Sequence, residues 1–295
     1  MKRKIEGIIT ALITPFTEKG DIDEEVLQEL VEFQVKSGIH GLYPCGTVGE
    51  GPTMSIEQRK RVAEIVVDQV KARIPVIVHI GAINTTMTVE LAKHAEKVGA
   101  DALGCVTPYY FALDDDAMIE HYRRVAEAVR IPIFVYNIPH RTNINITPNL
   151  MGKLAKLPNI IGIKDSSRDF TQLCEYIEKL GKGFTVICGT DALMIPALFM
   201  GAKGSISAIS NAFPELFVDA YDAYKKKNYE KAVALQFKII ATRRALAKPT
   251  IAPLKEALKM RGFRAGTVKN PLRPMTEKEI IELRNSLIEL GLIKP

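Results

Sequence analysis

The sequence predicts an α/β fold, a (β/α)8 barrel of the TIM type with additional helices at its C-terminal end, and three observations predict it. Eight short β-branched runs alternate with amphipathic stretches of helical period, mostly at spacings of roughly 25 to 30 residues. The first run is not followed by the GxGxxG turn of a doubly wound dinucleotide-binding sheet. Past residue 210 the strand signal ends and only helical patterns remain.

Taken in order, the runs are GIITALITP (7–15), GIHGLYPCG (38–46), PVIVHIG (75–81), ADALGCVTP (100–108), PIFVYNIP (132–139), IIGIKDSS (160–167), FTVICGTD (184–191) and GAKGSISAIS (201–210). The helical patterns between them include 23–38, 55–72 and 88–99. In the first, Val26, Leu30, Phe33 and Val35 give an apolar stripe and Gly38 a stop signal. In the second, Ser55 reads as an N-cap with Gln58 as its reciprocal partner. Residues 213–246, 250–262 and 276–291 read as helices separated by Pro249 and by the Asn270–Pro274 stretch. The expected organisation is a barrel over 1–212 and a helical extension over 213–295 packed on it as one continuous unit.

Composition narrows the function classes. Of 295 residues, 47% are hydrophobic and 25% charged, an ordinary balance for a globular chain. No apolar run reaches the roughly 18 to 20 residues of a membrane span. The start MKRKIEGIITALITPF is basic then apolar, but the apolar part is short and lacks a small-residue cleavage site. It reads as a first strand, and a cytoplasmic location is the expectation. The net charge of +6 is spread along the chain, with clusters only at Lys225-Lys226-Lys227 and Arg243-Arg244. Both fit solvated helix faces better than a nucleic-acid surface, while a small anionic substrate suits the balance. Cys45, Cys105, Cys174 and Cys188 form no CxxC pair, and the histidines no HExxH, so neither a disulfide framework nor a metal site is expected.

In a barrel of this kind chemistry sits where the strands end, and the strand ends here carry it. Lys164 closes the sixth run and interrupts it before Asp165-Ser166-Ser167. A strand-end lysine can bury its stem and let the amine reach water. It can also be held desolvated, with a lowered pKa, ready to attack a carbonyl. Tyr136 ends the neighbouring fifth run, where a phenol beside an amine can carry protons. Arg141 follows it and offers a donor fork suited to a carboxylate, while His140 reads as structural. Cys45 to Pro52 holds three glycines and makes a tight turn with exposed N–H groups, without matching a phosphate P-loop.

Together GTVGE, VTPYY, VYNIPHRT and GIKDSS, in this order and spacing, resemble the dihydrodipicolinate synthase/N-acetylneuraminate lyase family over nearly the whole chain. The resemblance implies a lyase of the class I aldolase type, with no metal and no external cofactor. Its substrates would be pyruvate or another 2-oxo acid and an aldehyde, its state a homodimer or homotetramer. The family's Schiff-base lysine matches Lys164. Its proton relay matches Thr47, Tyr110 and Tyr136, with Tyr110 reaching across a dimer interface. The carboxylate-binding arginine matches Arg141, and Thr47, Val48, Gly189 and Ile206 fall where substrate is lined or held.

Val48 departs from the synthase pattern, where a second threonine holds the pyruvate carboxylate, and leaves only its backbone N–H for that bond. Arg141 in turn fits poorly with sialic acid lyases and with aldolases of 2-keto-3-deoxy sugar acids. The leading expectation is a synthase-type condensation of pyruvate with an aldehyde acid. The alternatives are retro-aldol cleavage of a 2-keto-3-deoxy sugar acid or an N-acetylneuraminate-type substrate, and, more remotely, a non-catalytic 2-oxo-acid sensor.

Overall fold

The computed structural model describes residues 4–295, so the Met1-Lys2-Arg3 start lies outside the described residues. All eight runs form strands: β1 (Gly7–Thr10), β2 (Gly41–Leu42), β3 (Ile77–His79), β4 (Ala102–Val106), β5 (Ile133–Asn137), β6 (Ile160–Asp165), β7 (Thr185–Cys188) and β8 (Gly204–Ser207). They pair in parallel in the order β2-β1-β8-β7-β6-β5-β4-β3. The ring closes through a single bridge between Leu42 and Val76, where the Leu42 N–H donates to Pro75 O at 3.0 Å. Each strand is shorter than the run that signalled it, because the last residues of each run, and in most runs the first ones as well, lie in the loops outside the ladder.

Helices α1 (Glu24–Lys36), α2 (Ile56–Val70), α3 (Thr85–Lys97) and α4 (Asp115–Ala128) follow the first four strands. Next come the short turn α5 (Pro139–Thr142), then α6 (Pro148–Leu154), α7 (Phe170–Leu180) and α8 (Met194–Met200). The Ser55–Gln58 capping box is present. Helix α3 begins earlier than its apolar pattern, because Asn84 accepts from the Met87 N–H and caps it. The buried face of α1 is Val26, Leu27, Leu30, Val31 and Gln34, whereas Phe33 and Val35 are only partly covered. Gln34 is accommodated there by bonds to the Thr10 hydroxyl and to the Ser210 and Asn211 carbonyls.

Side chains alternate along each strand. Outward residues such as Ile163 and Val135 pack beneath the helices. Inward residues fill the barrel: Ile9, Tyr43, Ile77, Phe134, Ile187 and Ile206 form its central cluster. Each such side chain contributes about 1.5–3 kcal/mol by leaving water. Tyr43 fits only because β4 carries a glycine opposite; a Cβ on Gly104 would lie 2.2 Å from the Tyr43 hydroxyl.

The C-terminal helices are α9 (Pro214–Lys225), α10 (Tyr229–Ala245), α11 (Ala252–Met260) and α12 (Glu277–Glu289). The pattern over 213–246, read from the sequence as continuous helix, is therefore two. Lys227 turns left-handed at φ +60°, and Asn228 caps α10 by accepting from the Lys231 N–H. The Lys225-Lys226-Lys227 cluster accordingly ends α9, where cations face the negative end of the helix dipole. Among the described residues no helix is long and apolar enough to cross a membrane.

One ion pair ties this extension to the β2 loop. Lys255 Nζ lies 2.6 Å from Glu50 Oε1 and also donates to Thr267 O at 2.6 Å. Glu50 Oε2 accepts from the Lys269 N–H at 2.6 Å. Both side chains are essentially inaccessible, so the pair is a closed internal anchor.

Candidate active site

Strand register sets the centre of the site. Tyr136 on β5 pairs with Lys164 on β6, which pairs with Ile187 on β7, so phenol and amine share one level at the barrel's mouth. Lys164 is 4% exposed, so its stem and amine stay within the barrel's mouth rather than extending to the outer surface. Its Nζ lies over the Tyr136 ring, 3.9 Å from the centroid, and over the Tyr43 ring at 4.4 Å. Burial pushes the Lys164 pKa down, while the charge and hydrogen bond of Tyr136 and the charge of Asp191 pull it back. The result is an amine easier to deprotonate than one in water, in van der Waals contact with a phenol.

The strand ends are braced from outside. Asn137 Nδ2 donates to Asp165 Oδ1 at 2.9 Å, and the Ser167 hydroxyl donates to Asp165 Oδ2 at 2.7 Å. Asp165 is buried, which raises its pKa against the pull of those bonds. Because Asn137 and Asp165 immediately follow Tyr136 and Lys164, this bond fixes the relative height of the two reactive side chains.

A cavity of about 170 Å³ opens above the lysine. Thr47, Val48, Tyr136, Arg141, Gly189 and Ile206, all expected from the sequence, line it with Lys164. The N–H groups of Thr47 and Val48 have no acceptor among the described residues, leaving two donors for a carboxylate. The β2 turn meets its left-handed positions with Cys45 and Glu50 rather than with its glycines. Gly51 serves close approach instead, since a Cβ there would lie 2.0 Å from Cys45 O.

Tyr110 is not brought to the lysine within the chain. It is 82% exposed at φ +88° and stacks edge-on against Phe111 at 5.1 Å. Its neighbour Tyr109 instead lines a second cavity of about 430 Å³, which shares Thr47, Ile138, His140 and Arg141 with the first. The two form one path from the surface to the amine.

Several participants carried no signal in their own stretches of sequence. Asp191, in the turn after β7, lines the lysine cavity, and burial raises its pKa to about 6 against the opposing pull of Ser207, Arg243 and Lys164. Arg243 reaches the cavity from α10, so that half of the Arg243-Arg244 pair is not simply a solvated helix face. His79 sits edge-on to Tyr136 at 5.9 Å, and burial, then Arg59 and Lys164, hold its pKa well below the usual range. Its presence on an apolar strand pattern gave no hint of this position. Among the described residues no group of three or more His, Cys, Asp or Glu side chains is arranged to hold a metal ion.

The negative charge of Asp191 favours the protonated lysine. Asp191→Asn is therefore expected to lower the apparent pKa for imine formation and move the acid limb of the pH–rate profile to lower pH. Pyruvate-dependent borohydride trapping followed against pH measures this; an unchanged or raised limb contradicts it.

The chain is similar to known proteins over nearly its whole length. The family model for the dihydrodipicolinate synthetase family matches residues 4–290. A 4-hydroxy-tetrahydrodipicolinate synthase of Syntrophus aciditrophicus is 41% identical over 98% of this chain and 99% of its own. The crystal structure of dihydrodipicolinate synthase from Aquifex aeolicus superposes with a TM-score of 0.94 at 35% identity, covering 99% of this chain and 100% of that one. A prophage protein of the same family from E. coli K12, solved in complex with pyruvate, gives a TM-score of 0.94 at 31% identity, covering 97% and 99% of the two chains.

Proposed function

The chain belongs to the dihydrodipicolinate synthetase family, a family of class I aldolase-type lyases, and on that premise we propose that Lys164 condenses with the keto group of pyruvate. The observation that carries this is the buried amine of Lys164, its pKa lowered, against the ring of Tyr136. The free N–H groups of Thr47 and Val48 hold the carboxylate, with the Thr47 hydroxyl beside them. The neutral amine attacks the carbonyl carbon, and Tyr136 relays protons as the carbinolamine loses water to give the imine. The iminium withdraws electrons, a proton leaves the adjacent carbon, and the resulting enamine attacks an aldehyde. Reversal of the same steps breaks the bond. No metal or external cofactor enters this scheme.

Arg141 binds a carboxylate on the aldehyde, which favours synthase-type condensation with an aldehyde acid over cleavage of a neutral-ended sugar acid. The exposed, left-handed Tyr110 fits a homodimer, alone or within a tetramer, in which a second copy takes it up to complete the relay with Thr47. The test is pyruvate consumption with a panel of carboxylate-bearing and neutral aldehydes. Arg141→Ala should lower kcat/KM for carboxylate aldehydes by about ten- to a hundredfold, the range for one charge-assisted contact, with the KM for pyruvate preserved. Equal losses for both aldehyde classes would make Arg141 structural.

A further inference from the structure

Imine formation is half of the chemistry. A proton must then leave C3, the carbon beside the iminium, and a base has to take it. The walls of the lysine cavity offer few candidates. Thr47, Ser166 and Thr190 are alcohols, and Tyr136 is a phenol already engaged with the lysine nitrogen. His140 is exposed, and after its partial burial the charges of Arg168, Arg141 and Arg243 hold its pKa down, which makes it a poor proton acceptor. Asp191 is the one carboxylate in the lining, among the described residues.

Strand order brings Asp191 to the amine from the side opposite Tyr136. The strand that carries Lys164, β6, lies between β5 and β7. Tyr136 comes from β5 and Asp191 from the turn that follows β7. That turn is clamped from behind, since Gln236 on α10 donates to Asp191 O at 3.0 Å and accepts from the Ile195 N–H at 2.8 Å. Asp191 is 8% exposed, and its Oδ1 is buried with no hydrogen-bond partner among the described residues. A buried carboxylate oxygen without a donor is costly as an anion and correspondingly eager for a proton.

We infer that Asp191 is the catalytic base that takes the C3 proton from the pyruvate iminium and turns it into the nucleophilic enamine. This rests on the Schiff-base reading. The Asp191 carboxylate binds the proton, the C3–H electron pair becomes the C2=C3 bond, and the C2=N pair returns to nitrogen as a lone pair. A cation and an anion thereby become a neutral enamine and a neutral carboxylic acid. A buried cavity favours a step that removes both charges. Burial raises the Asp191 pKa to about 6, within the range where a carboxyl both accepts and returns a proton near neutral pH. In the reverse direction the same carboxylic acid protonates C3 of the enamine.

Pyruvate alone suffices for the test, with no aldehyde present. The full-length protein is incubated with pyruvate in heavy water, well above the acid limb of imine formation, and loss of the methyl signal is followed by proton NMR. Borohydride trapping on the same samples measures the imine independently. The parent should exchange the methyl protons of pyruvate for deuterium. Asp191→Asn should trap pyruvate on Lys164 as the parent does, which shows an intact site, yet exchange about a hundred- to ten-thousandfold more slowly. Asp191→Glu should regain part of that loss, because it restores a carboxylate. Tyr136→Phe should slow trapping and exchange together, since it acts before the iminium exists. Exchange in Asp191→Asn as fast as in the parent, or reduced only as far as trapping is, would overturn the assignment, as would a parent adduct with no exchange. Absence of any adduct in the parent is a different result: it sinks the Schiff-base reading, and this assignment with it.

Discussion

Tyr136→Phe is expected to slow imine formation with pyruvate by about a hundred- to ten-thousandfold, the usual worth of a positioned general acid–base. The substitution removes one hydroxyl and keeps the ring that packs over Lys164 and edge-on to Tyr43 and His79. Folding and melting temperature should therefore stay near those of the parent. Carbinolamine formation and dehydration each need a proton moved at the lysine nitrogen. The alternatives within reach do not serve. Tyr43 is fully buried, which raises its pKa far above the ordinary phenol range, and Tyr110 is exposed on the same chain. Rapid-mixing measurement of pyruvate imine formation checks the expectation. Parent-like kinetics would contradict the role given to Tyr136.

The second large effect concerns stability. Glu50→Gln should cost about 3–5 kcal/mol in urea unfolding, because it leaves the Lys255 ammonium buried without its counter-charge. Burial already pushes the Lys255 pKa down, and the charge of Glu50 is the main factor holding it up. Lys255→Met should cost a similar amount, whereas the double variant should recover much of the loss, since a buried pair replaced by neutral groups is often tolerated. Single variants costing under about 1 kcal/mol would show that the pair is solvated in solution. Because Glu50 closes the turn that carries Thr47 and Val48, the single variants should also raise the KM for pyruvate.

The strand and helix rhythm was legible in the sequence because barrel strands are local, buried and evenly spaced. The lysine–tyrosine pair was legible for the same reason, as adjacent strands ending at the same height bring their last inward residues together. What escaped was set by the closure of the ring. Asp191 and Arg243 meet Lys164 only because β7, β8 and α10 come round to it, and no periodicity within their own segments signals that. Arg168 reads as a polar loop residue until its left-handed backbone is seen. Likewise α9 and α10 merge in a continuous helical pattern, because the break at Lys227 involves neither glycine nor proline.

The central claim is a covalent one, that Lys164 is the residue that condenses with pyruvate. Borohydride reduction of the full-length protein with pyruvate, followed by peptide mass mapping, tests it most directly, with Lys164→Ala as the control. The account predicts a single reduced adduct on the peptide containing Lys164, absent from the folded control protein. No adduct on well-folded protein, or an adduct on another lysine that persists in the control, would contradict it.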